Sequence, residues 1–292
     1  QVFAAAGERL EDHLTLIPQA ILARHWWPDG SQLDLFTDPA QSAAAIEGWA
    51  GPKAAQDFLR FNALSAQLYQ AFEAPVMLSD RPRLAGILAN TLRSPALWST
   101  LLPQQTLARQ LCQSFTDPRL RQLFGRYATY VGGAPDRSPA VLALIWQAEA
   151  QGVWAVQGGM HASARALAGV ADRLGVAQLY ETPVEKIVQK AGRVAQVILS
   201  DGRALDCDAV VFNGDPAALE QGLLGADVQR SIPRTAVHPR SLSAWVWAFA
   251  ATPSGADLIH HNVFFGSDPA REFGPIARGQ MPDEATLYIC AQ

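Results

Sequence analysis

The stretch GVWAVQGGMHASARAL, residues 152–167, raises the question that decides the fold of this chain. A short apolar run reaches Gly158 and Gly159 and then continues in residues that favour a helix. A strand, two glycines and a helix in this order bring the backbone close to a ligand, often an anionic or planar one. The dinucleotide fingerprint G-x-G-x-x-G, however, occurs nowhere in the 292 residues. The sequence therefore indicates one part of a cofactor site without its usual companion motif.

The composition excludes several classes of protein. Hydrophobic residues make up 49% of the chain and charged residues 17%, and no apolar run approaches the length of a membrane span. A net charge of −4 and a pI of about 5.9 argue against a nucleic-acid partner. Cys112, Cys207 and Cys290 are scattered and fit neither a disulfide framework nor a zinc spacing. We therefore expect a reducing, intracellular setting and no metal.

The two ends of the sequence are unusual. The chain begins at Gln1 rather than at a methionine, and its last residues, TLYICAQ, are typical of the middle of a strand. We therefore expect an internal fragment of a longer protein.

The N-terminal half predicts a hairpin followed by helices. Residues 14–36 alternate loosely around a Pro-Asp-Gly turn at 28–30, which is typical of a β-hairpin. Residues 38–51 begin with Asp-Pro and end in glycine, as a helix does. From 54 to about 150 the pattern is helical and interrupted by prolines. Within it, residues 75–111 mix leucines and arginines and fit either a membrane-surface segment or, our preference, a core helix pair.

The C-terminal half alternates strands and helices. Residues 162–175 predict an amphipathic helix that ends at a glycine, and residues 184–187 predict a strand. Residues 193–215 predict a hairpin with its turn at Asp201-Gly202 and a buried strand at 209–212. Asp215 is expected to cap a helix that begins at Pro216. Two further apolar strands are predicted at 240–251 and 262–268.

Six motifs occur in a fixed order along most of the chain. They are FTDPRLRQLF (115–124), VGGAP (131–135), GVWAVQGG (152–159), VEKI (184–187), DGRALDCDAVVFNGD (201–215) and HHNVFFG (260–266). This order and spacing resemble the bacterial phytoene-desaturase family of carotenoid desaturases. Within that family, ALIWQAEAQGVWAVQGGMH (143–161) looks most like the C-3,4 desaturases of purple bacteria that act on 1-hydroxyneurosporene or methoxyneurosporene.

The resemblance implies an α/β (α+β) protein with an incomplete FAD-dependent amine-oxidase or phytoene-desaturase fold. A helical substrate domain with a β-sheet is expected over 1–153 and again over 228–292. The middle part of a Rossmann-like FAD domain is expected over 154–227. FAD is the implied cofactor of the full-length protein, and we expect this fragment to bind it poorly or not at all because the fingerprint is missing.

The implied reaction removes two hydrogens across a carbon–carbon bond of an acyclic carotenoid and delivers hydride to the flavin. No side chain can accept hydride, so the cofactor does this step while the protein supplies an apolar tunnel and the correct position. For that reason no catalytic side chain is assigned, and nothing in the sequence identifies the electron acceptor. The implied location is peripheral, on the cytoplasmic side of the inner or photosynthetic membrane in which the substrate dissolves.

Five residues are candidates, by resemblance, for contact with FAD: Gly158, Gly159, Val184, Asn213 and Gly214. For the glycine pair, a strand-to-helix turn that needs positive φ is an equally good explanation. Val184 matches a strand whose backbone reaches the adenine end of FAD. Helix capping explains the neighbouring Asp215 without a ligand.

Five other residues are candidates for the substrate cavity: Arg60, Tyr127, Tyr130, His161 and His261. The tyrosines are about one helical turn apart, and His161 has a surface location as its alternative. His260 and His261 are expected to point to opposite sides of a strand, which argues against a shared metal. Near Arg60 the family's charge pattern is changed, so no acid–base role follows, and Arg60 or Asn62 is instead expected near a polar end of the substrate.

Two other functions fit the sequence. One is a different enzyme of the flavin amine-oxidase and protoporphyrinogen-oxidase group. The other is a non-catalytic, membrane-associated lipid-binding module.

Overall fold

The structure is a computed structural model that describes residues 2–81, 97–98, 100, 102 and 104–291. Residues 82–96, 99, 101 and 103 of the segment 75–111, for which a core helix pair or a membrane-surface segment is predicted, lie outside the described residues. Two compact units are present: unit 1 comprises Gln1–Gly7 and Arg165–Ser241, and unit 2 comprises Glu8–Ala164 and Leu242–Gln292. Their boundaries at 165 and 241 differ from the predicted domain limits of 154 and 227. The assignment of the middle segment to FAD remains a prediction.

The described residues combine helices and strands, as the predicted α/β (α+β) class requires. The α-helices are α1 (Val2–Ala5), α2 (Pro39–Ala50), α3 (Pro52–Phe72), α4 (Leu107–Ser114), α5 (Pro118–Gly125), α6 (Ile145–Ala150), α7 (Met160–Arg173), α8 (Pro216–Glu220) and α9 (Pro269–Ala277). The strands are β1 (Leu16–Pro18), β2 (Ile21–Trp26), β3 (Gln32–Phe36), β4 (Trp154–Val156), β5 (Val184–Lys190), β6 (Arg193–Leu199), β7 (Ala204–Asp206), β8 (His261–Phe264) and β9 (Leu287–Cys290).

Unit 2 contains a four-stranded sheet in the order β3-β2-β8-β9. The predicted hairpin is confirmed as β2 and β3, which pair antiparallel, and Gly30 has a positive φ of 80° in the turn between them. β8 lies parallel to β2 and pairs antiparallel with β9. β1 belongs to a separate two-stranded pairing with β4. The sheet therefore joins residues near the beginning of the chain to residues near its end.

Helices pack beside this sheet around an aromatic core. α2 begins where the Asp38 carboxylate accepts a hydrogen bond from the Ala40 amide (2.9 Å), and α3 follows after Gly51 at φ +87°. Phe58 and Phe61 of α3 are fully buried and pack against Phe124 and Trp146. Burial of large aromatic side chains is the main stabilising contribution that these contacts make. α3 thereby fixes the positions of α5 and α6.

Unit 1 is built around the three-stranded sheet β5-β6-β7. The predicted turn is confirmed, because Gly202 has a φ of 85° between β6 and β7. α7 ends at Arg173, and Gly175 follows at φ +79° as predicted. A small core forms from Ile187, Leu219 and Val228.

Two predicted strands, at 209–212 and 240–251, are wrong. Neither segment pairs with another strand in the described chain, and Val211 is 94% exposed. Trp245, Val246 and Phe249 are likewise at least 75% exposed. An apolar sequence favours a strand only where a neighbouring strand satisfies its backbone groups, and these segments lack one.

None of the described helices combines the length and apolarity that crossing a membrane requires.

Candidate functional site

Two tyrosines hold one carboxylate between them in unit 2. Tyr127 and Tyr130 lie on the 3₁₀-helix Arg126–Val131, where residues three apart are nearly eclipsed, and their rings stack with centroids 5.8 Å apart. The Tyr127 hydroxyl donates to Oε2 of Glu149 and the Tyr130 hydroxyl to Oε1, both at 2.7 Å. Tyr127 is fully buried and Tyr130 is 56% exposed. One side of the carboxylate is thus enclosed and the other faces a reachable tyrosine.

Arg126 adds a positive charge to this group. Its Nη2 lies 3.7 Å from Oε1 of Glu149, and its Nη1 donates to the Tyr130 hydroxyl at 3.2 Å. The guanidinium also lies 5.4 and 5.7 Å from the Tyr127 and Tyr130 ring centres, within cation–π range. Its Nε is buried and has no hydrogen-bond partner among the described residues. One buried donor of this arginine is therefore unsatisfied among the described residues.

The protonation of the tyrosines follows from these surroundings. Burial, together with the negative charge of Glu149, raises the pKa of Tyr127 well above its ordinary value and also raises the pKa of Tyr130. Both effects disfavour the phenolate. The two hydroxyls therefore remain donors throughout the neutral pH range.

His261 and Tyr288 extend the group from the paired strands β8 and β9. His261 Nδ1 lies 2.5 Å from the Tyr288 hydroxyl, and the two rings are 5.9 Å apart and nearly parallel. Burial and the neighbouring His260 lower the pKa of His261, and the charges of Glu149 and Arg126 also act on it. Tyr288 has its pKa raised to about 12, first by burial and then by Cys290. We call Arg126, Tyr127, Tyr130, Glu149, His261 and Tyr288 the polar cluster.

The predicted opposite orientation of His260 and His261 is wrong. Their rings meet edge to face with centroids 4.4 Å apart. The alternation of side chains holds only within a strand, and β8 begins at His261. The argument against a shared metal, which depended on that alternation, therefore fails.

The polar cluster brings together three of the five predicted cavity residues. Tyr127, Tyr130 and His261 belong to it. Arg60 instead pairs with the buried Asp57 of its own helix, and its described contacts include no member of the polar cluster. Asn62 accepts a hydrogen bond from Trp146 Nε1 at 2.8 Å. His161 is exposed in the first turn of α7.

The glycine pair forms the predicted turn between β4 and α7. Gly158 and Gly159 have φ values of 80° and 82°, which disfavour other residues. A Cβ at Gly158 would meet only Ala162 Cβ, at 4.0 Å, so space alone does not require glycine there. The conformational explanation of the pair is thus supported, and contact with a flavin remains a prediction.

The other predicted cofactor residues lie in unit 1. Val184 begins β5 and is 42% exposed, and Asn213 and Gly214 are exposed. A Cβ at Gly214 would overlap the Phe212 ring. Asp215 caps α8 through the Ala217 amide at 2.9 Å, as predicted.

Gly158 and Gly159 in unit 2, and Val184, Asn213 and Gly214 in unit 1, remain predicted contacts of FAD. They offer backbone groups and, at Asn213, a side-chain amide, which are groups that can bind an adenine, a ribose or a pyrophosphate. None of them carries a positive charge to neutralise the pyrophosphate, so they form an incomplete set.

Sequence reasoning missed Arg126, Glu149 and Tyr288. A signal for the first two was present, because a lone arginine and a lone glutamate stand in otherwise apolar segments, at RYATYV and LIWQAEA. Charges in such positions are usually paired. Tyr288 gave no comparable signal.

Known proteins resemble the chain over its whole length. Residues 1–250 match the family described as flavin containing amine oxidoreductase. The chain is 57% identical over 291 residues to the hydroxyneurosporene desaturase of Cereibacter sphaeroides and 55% identical over 291 residues to that of Rhodobacter capsulatus. It is 46% identical over 296 residues to that of Rubrivivax gelatinosus.

Each match covers 100% of this chain but only 59%, 59% and 56% of the respective relative. The predicted resemblance to carotenoid desaturases is thereby confirmed, and the family match agrees with the mixed helix-and-sheet fold. Because 250 of the 292 residues match the flavin-containing amine oxidoreductase family, the chain belongs to that family.

Proposed function

We propose that the chain forms the substrate-binding part of an FAD-dependent desaturase that introduces the C-3,4 double bond into a hydroxylated acyclic carotenoid, with 1-hydroxyneurosporene as the substrate. The observation that carries this proposal is the similarity, over the entire chain, to three hydroxyneurosporene desaturases. When FAD is bound, its isoalloxazine ring supplies the hydride acceptor. The residues of this chain bind and orient the carotenoid.

The polar cluster suits a single hydroxyl group at the end of a hydrocarbon. Tyr130 is exposed and donates its hydroxyl proton to Glu149, so its oxygen can accept a hydrogen bond from the substrate hydroxyl. In the substrate, the carbon that bears the hydroxyl, C-1, lies only two bonds from C-3. Holding that hydroxyl therefore fixes the position of the bond that loses hydrogen, and orientation of this kind lowers the barrier.

The uncharged state of the cluster's tyrosines supports the same assignment. The tyrosine hydroxyls remain protonated because burial and Glu149 raise their pKa values. A phenol that donates to a carboxylate can still accept a hydrogen bond from an alcohol, so the alcohol proton finds a partner. A substrate that lacks the hydroxyl makes no such bond.

The activity test uses a chimera, because the chain spans 59% of its Cereibacter sphaeroides relative. This chain replaces the matching region of that enzyme, and the FAD-loaded chimera receives 1-hydroxyneurosporene in liposomes. We expect a red-shifted carotenoid spectrum as the chromophore lengthens, and a smaller rate with neurosporene, which has no hydroxyl. A flavin-loaded, folded chimera that leaves the spectrum unchanged refutes the proposal.

The same preparation tests the alternatives. The family match favours amine oxidation as the second candidate, and hydrogen peroxide production from amines would identify it. Retention of carotenoid without any turnover would identify a lipid-binding module.

We also propose that the enzyme meets its substrate at the cytoplasmic surface of the inner or photosynthetic membrane. The support is chemical, since an acyclic carotenoid dissolves in the bilayer rather than in water. Flotation of the chimera with anionic and neutral liposomes measures this association. Failure to float with either kind of liposome contradicts it.

A further inference from the structure

Three side chains with metal-binding atoms converge at one end of the β8–β9 pair. His261 and Cys290 are directly opposite each other in the antiparallel register, so their side chains lie on the same face. His260 lies beside them, because its carbonyl accepts a hydrogen bond from the Ala291 amide at 2.9 Å. One potential ligand atom of each of the three residues lies within 4.8 Å of the other two.

The ring nitrogens are arranged as in a metal site. His260 Nδ1 lies 2.8 Å from the Ala291 carbonyl oxygen, while its Nε2 lies 3.8 Å from Cys290 Sγ. His261 Nδ1 lies 2.5 Å from the Tyr288 hydroxyl. Histidines that bind metals generally use one nitrogen as the ligand and hold the other by a hydrogen bond that orients the ring. Both histidines have such an orienting partner.

We propose that His260, His261 and Cys290 bind Zn²⁺. A thiolate and two imidazoles are ligands that zinc prefers, and three protein ligands leave a fourth position for water. Around a tetrahedral zinc ion, a bound nitrogen and sulfur are about 3.6 Å apart, given usual bond lengths. The observed 3.8 Å between His260 Nε2 and Cys290 Sγ is close to that spacing.

Binding of the ion displaces one proton. The Cys290 thiol releases its proton to solvent as the thiolate forms the bond to zinc, and no electron is transferred. Cys290 is exposed, so the ion can enter from solvent. Because the ligands come from two segments about 30 residues apart in sequence, the ion would tie β8 to β9 at a site that shares His261 with the polar cluster.

The test is a metal titration of the full chain. Metal-free protein is titrated with Co²⁺, which gives visible d–d bands and a thiolate charge-transfer band in a tetrahedral site, and Zn²⁺ is then added as competitor. We expect one equivalent of cobalt to produce these bands and one equivalent of zinc to abolish them. No cobalt–thiolate absorption at stoichiometric metal overturns the proposal.

Single substitutions locate the site. Cys290→Ser and His260→Gln should each weaken zinc binding by at least ~100-fold, and Tyr288→Phe, which removes only the orienting partner of His261, by ~10-fold. Cys112→Ser changes another exposed cysteine and should bind zinc like the unmodified chain. Equal binding by Cys290→Ser and Cys112→Ser refutes the assignment. If circular dichroism shows that Cys290→Ser is unfolded, zinc binding by His260→Gln is compared with zinc binding by Cys112→Ser instead, and equal binding refutes the assignment.

Discussion

Asp57 provides the sharpest test of how unit 2 is held together. This carboxylate is buried, with a side chain only 1% exposed, and it links α3 to the segment before α5. Its Oδ2 accepts hydrogen bonds from the Thr116 amide at 2.9 Å and the Thr116 hydroxyl at 2.8 Å. Oδ1 pairs with Lys53 and Arg60, whose side chains are more than 60% exposed. The two hydrogen bonds from Thr116 therefore contribute most of the stabilisation that Asp57 provides.

The expected magnitude follows from this difference in exposure. Hydrogen bonds to a charged group contribute about 1.5–3 kcal/mol each, whereas exposed ion pairs contribute roughly 0–1 kcal/mol. Asp57→Asn keeps the shape, but it loses the charge that strengthens both Thr116 bonds and places an NH2 group towards Lys53 and Arg60, so we expect about 3 kcal/mol of destabilisation. Thr116→Val removes only the hydroxyl donor and should cost about 1.5 kcal/mol. Arg60→Ala should cost less than about 1 kcal/mol.

The pH dependence provides a second criterion. Burial alone would raise the pKa of Asp57, but the hydrogen bonds from Lys53 and Thr116 outweigh it and hold the pKa below the ordinary value of 3.8. A carboxyl whose pKa is lower in the folded state stabilises the protein above the unfolded pKa, and this stabilisation disappears as the pH falls through the folded value. The difference between the unmodified chain and Asp57→Asn should thus be constant above about pH 5 and shrink below 3.8.

The assay is urea unfolding followed by tryptophan fluorescence. All eight tryptophans lie in the two segments of unit 2, so the signal reports on that unit. The experiment compares Asp57→Asn, Thr116→Val and Arg60→Ala at pH 7 and pH 3. An Asp57→Asn cost under about 1 kcal/mol at pH 7, or a cost independent of pH, would refute the reasoning.

Three further predictions concern the site and its surroundings. In the chimera, Glu149→Gln should reduce the preference in kcat/KM for hydroxylated over plain neurosporene by about tenfold, and an equal loss on both substrates contradicts the assignment. Burial, helped by the charge of Arg126, lowers the pKa of His25 from 6.5 to about 3. Between those values His25 is protonated only in the unfolded chain. As the pH is lowered from 6.5 towards 3, the free energy of unfolding should therefore fall by up to about 1.4 kcal/mol per pH unit. In urea titrations His25→Phe should abolish this slope and the exposed His161→Gln should keep it. Gly158→Ala forces a side chain into positive φ and should lower the Tm measured by circular dichroism, at a cost of about 1–2 kcal/mol, whereas Gly169→Ala within α7 should not lower it.

Local signals predicted most of the fold. The Asp38 cap, the glycine after α2, the turn at Gly30 and the turn at Gly202 were all recovered, because each depends on neighbours within a few residues. The strand predictions at 209–212 and 240–251 are wrong for the opposite reason. Their residues favour strands, but a strand also needs a distant partner, which a local pattern does not specify.

In the candidate site, too, local neighbours were predictable from the sequence and distant partners were not. Tyr127 and Tyr130 were predicted as neighbours because three-residue spacing brings them together on one helical turn. Their carboxylate partner, Glu149, lies about 20 residues further along the chain. The ring contact of His260 with His261 depended on where β8 begins, and strand boundaries are set by backbone pairing rather than by side-chain type.

The apolar core determines the chemistry of the polar cluster. Tyr127 packs against Phe124 with ring centroids 5.9 Å apart, and Phe124 in turn contacts Trp146, which lies on the same helix as Glu149. The core thus fixes both ends of the bond between Tyr127 and Glu149. The same packing excludes water from Tyr127 and raises its pKa, which keeps the hydroxyl a donor. Because geometry and protonation share this cause, a cavity in the core would disturb both at once, even where no residue of the polar cluster is changed.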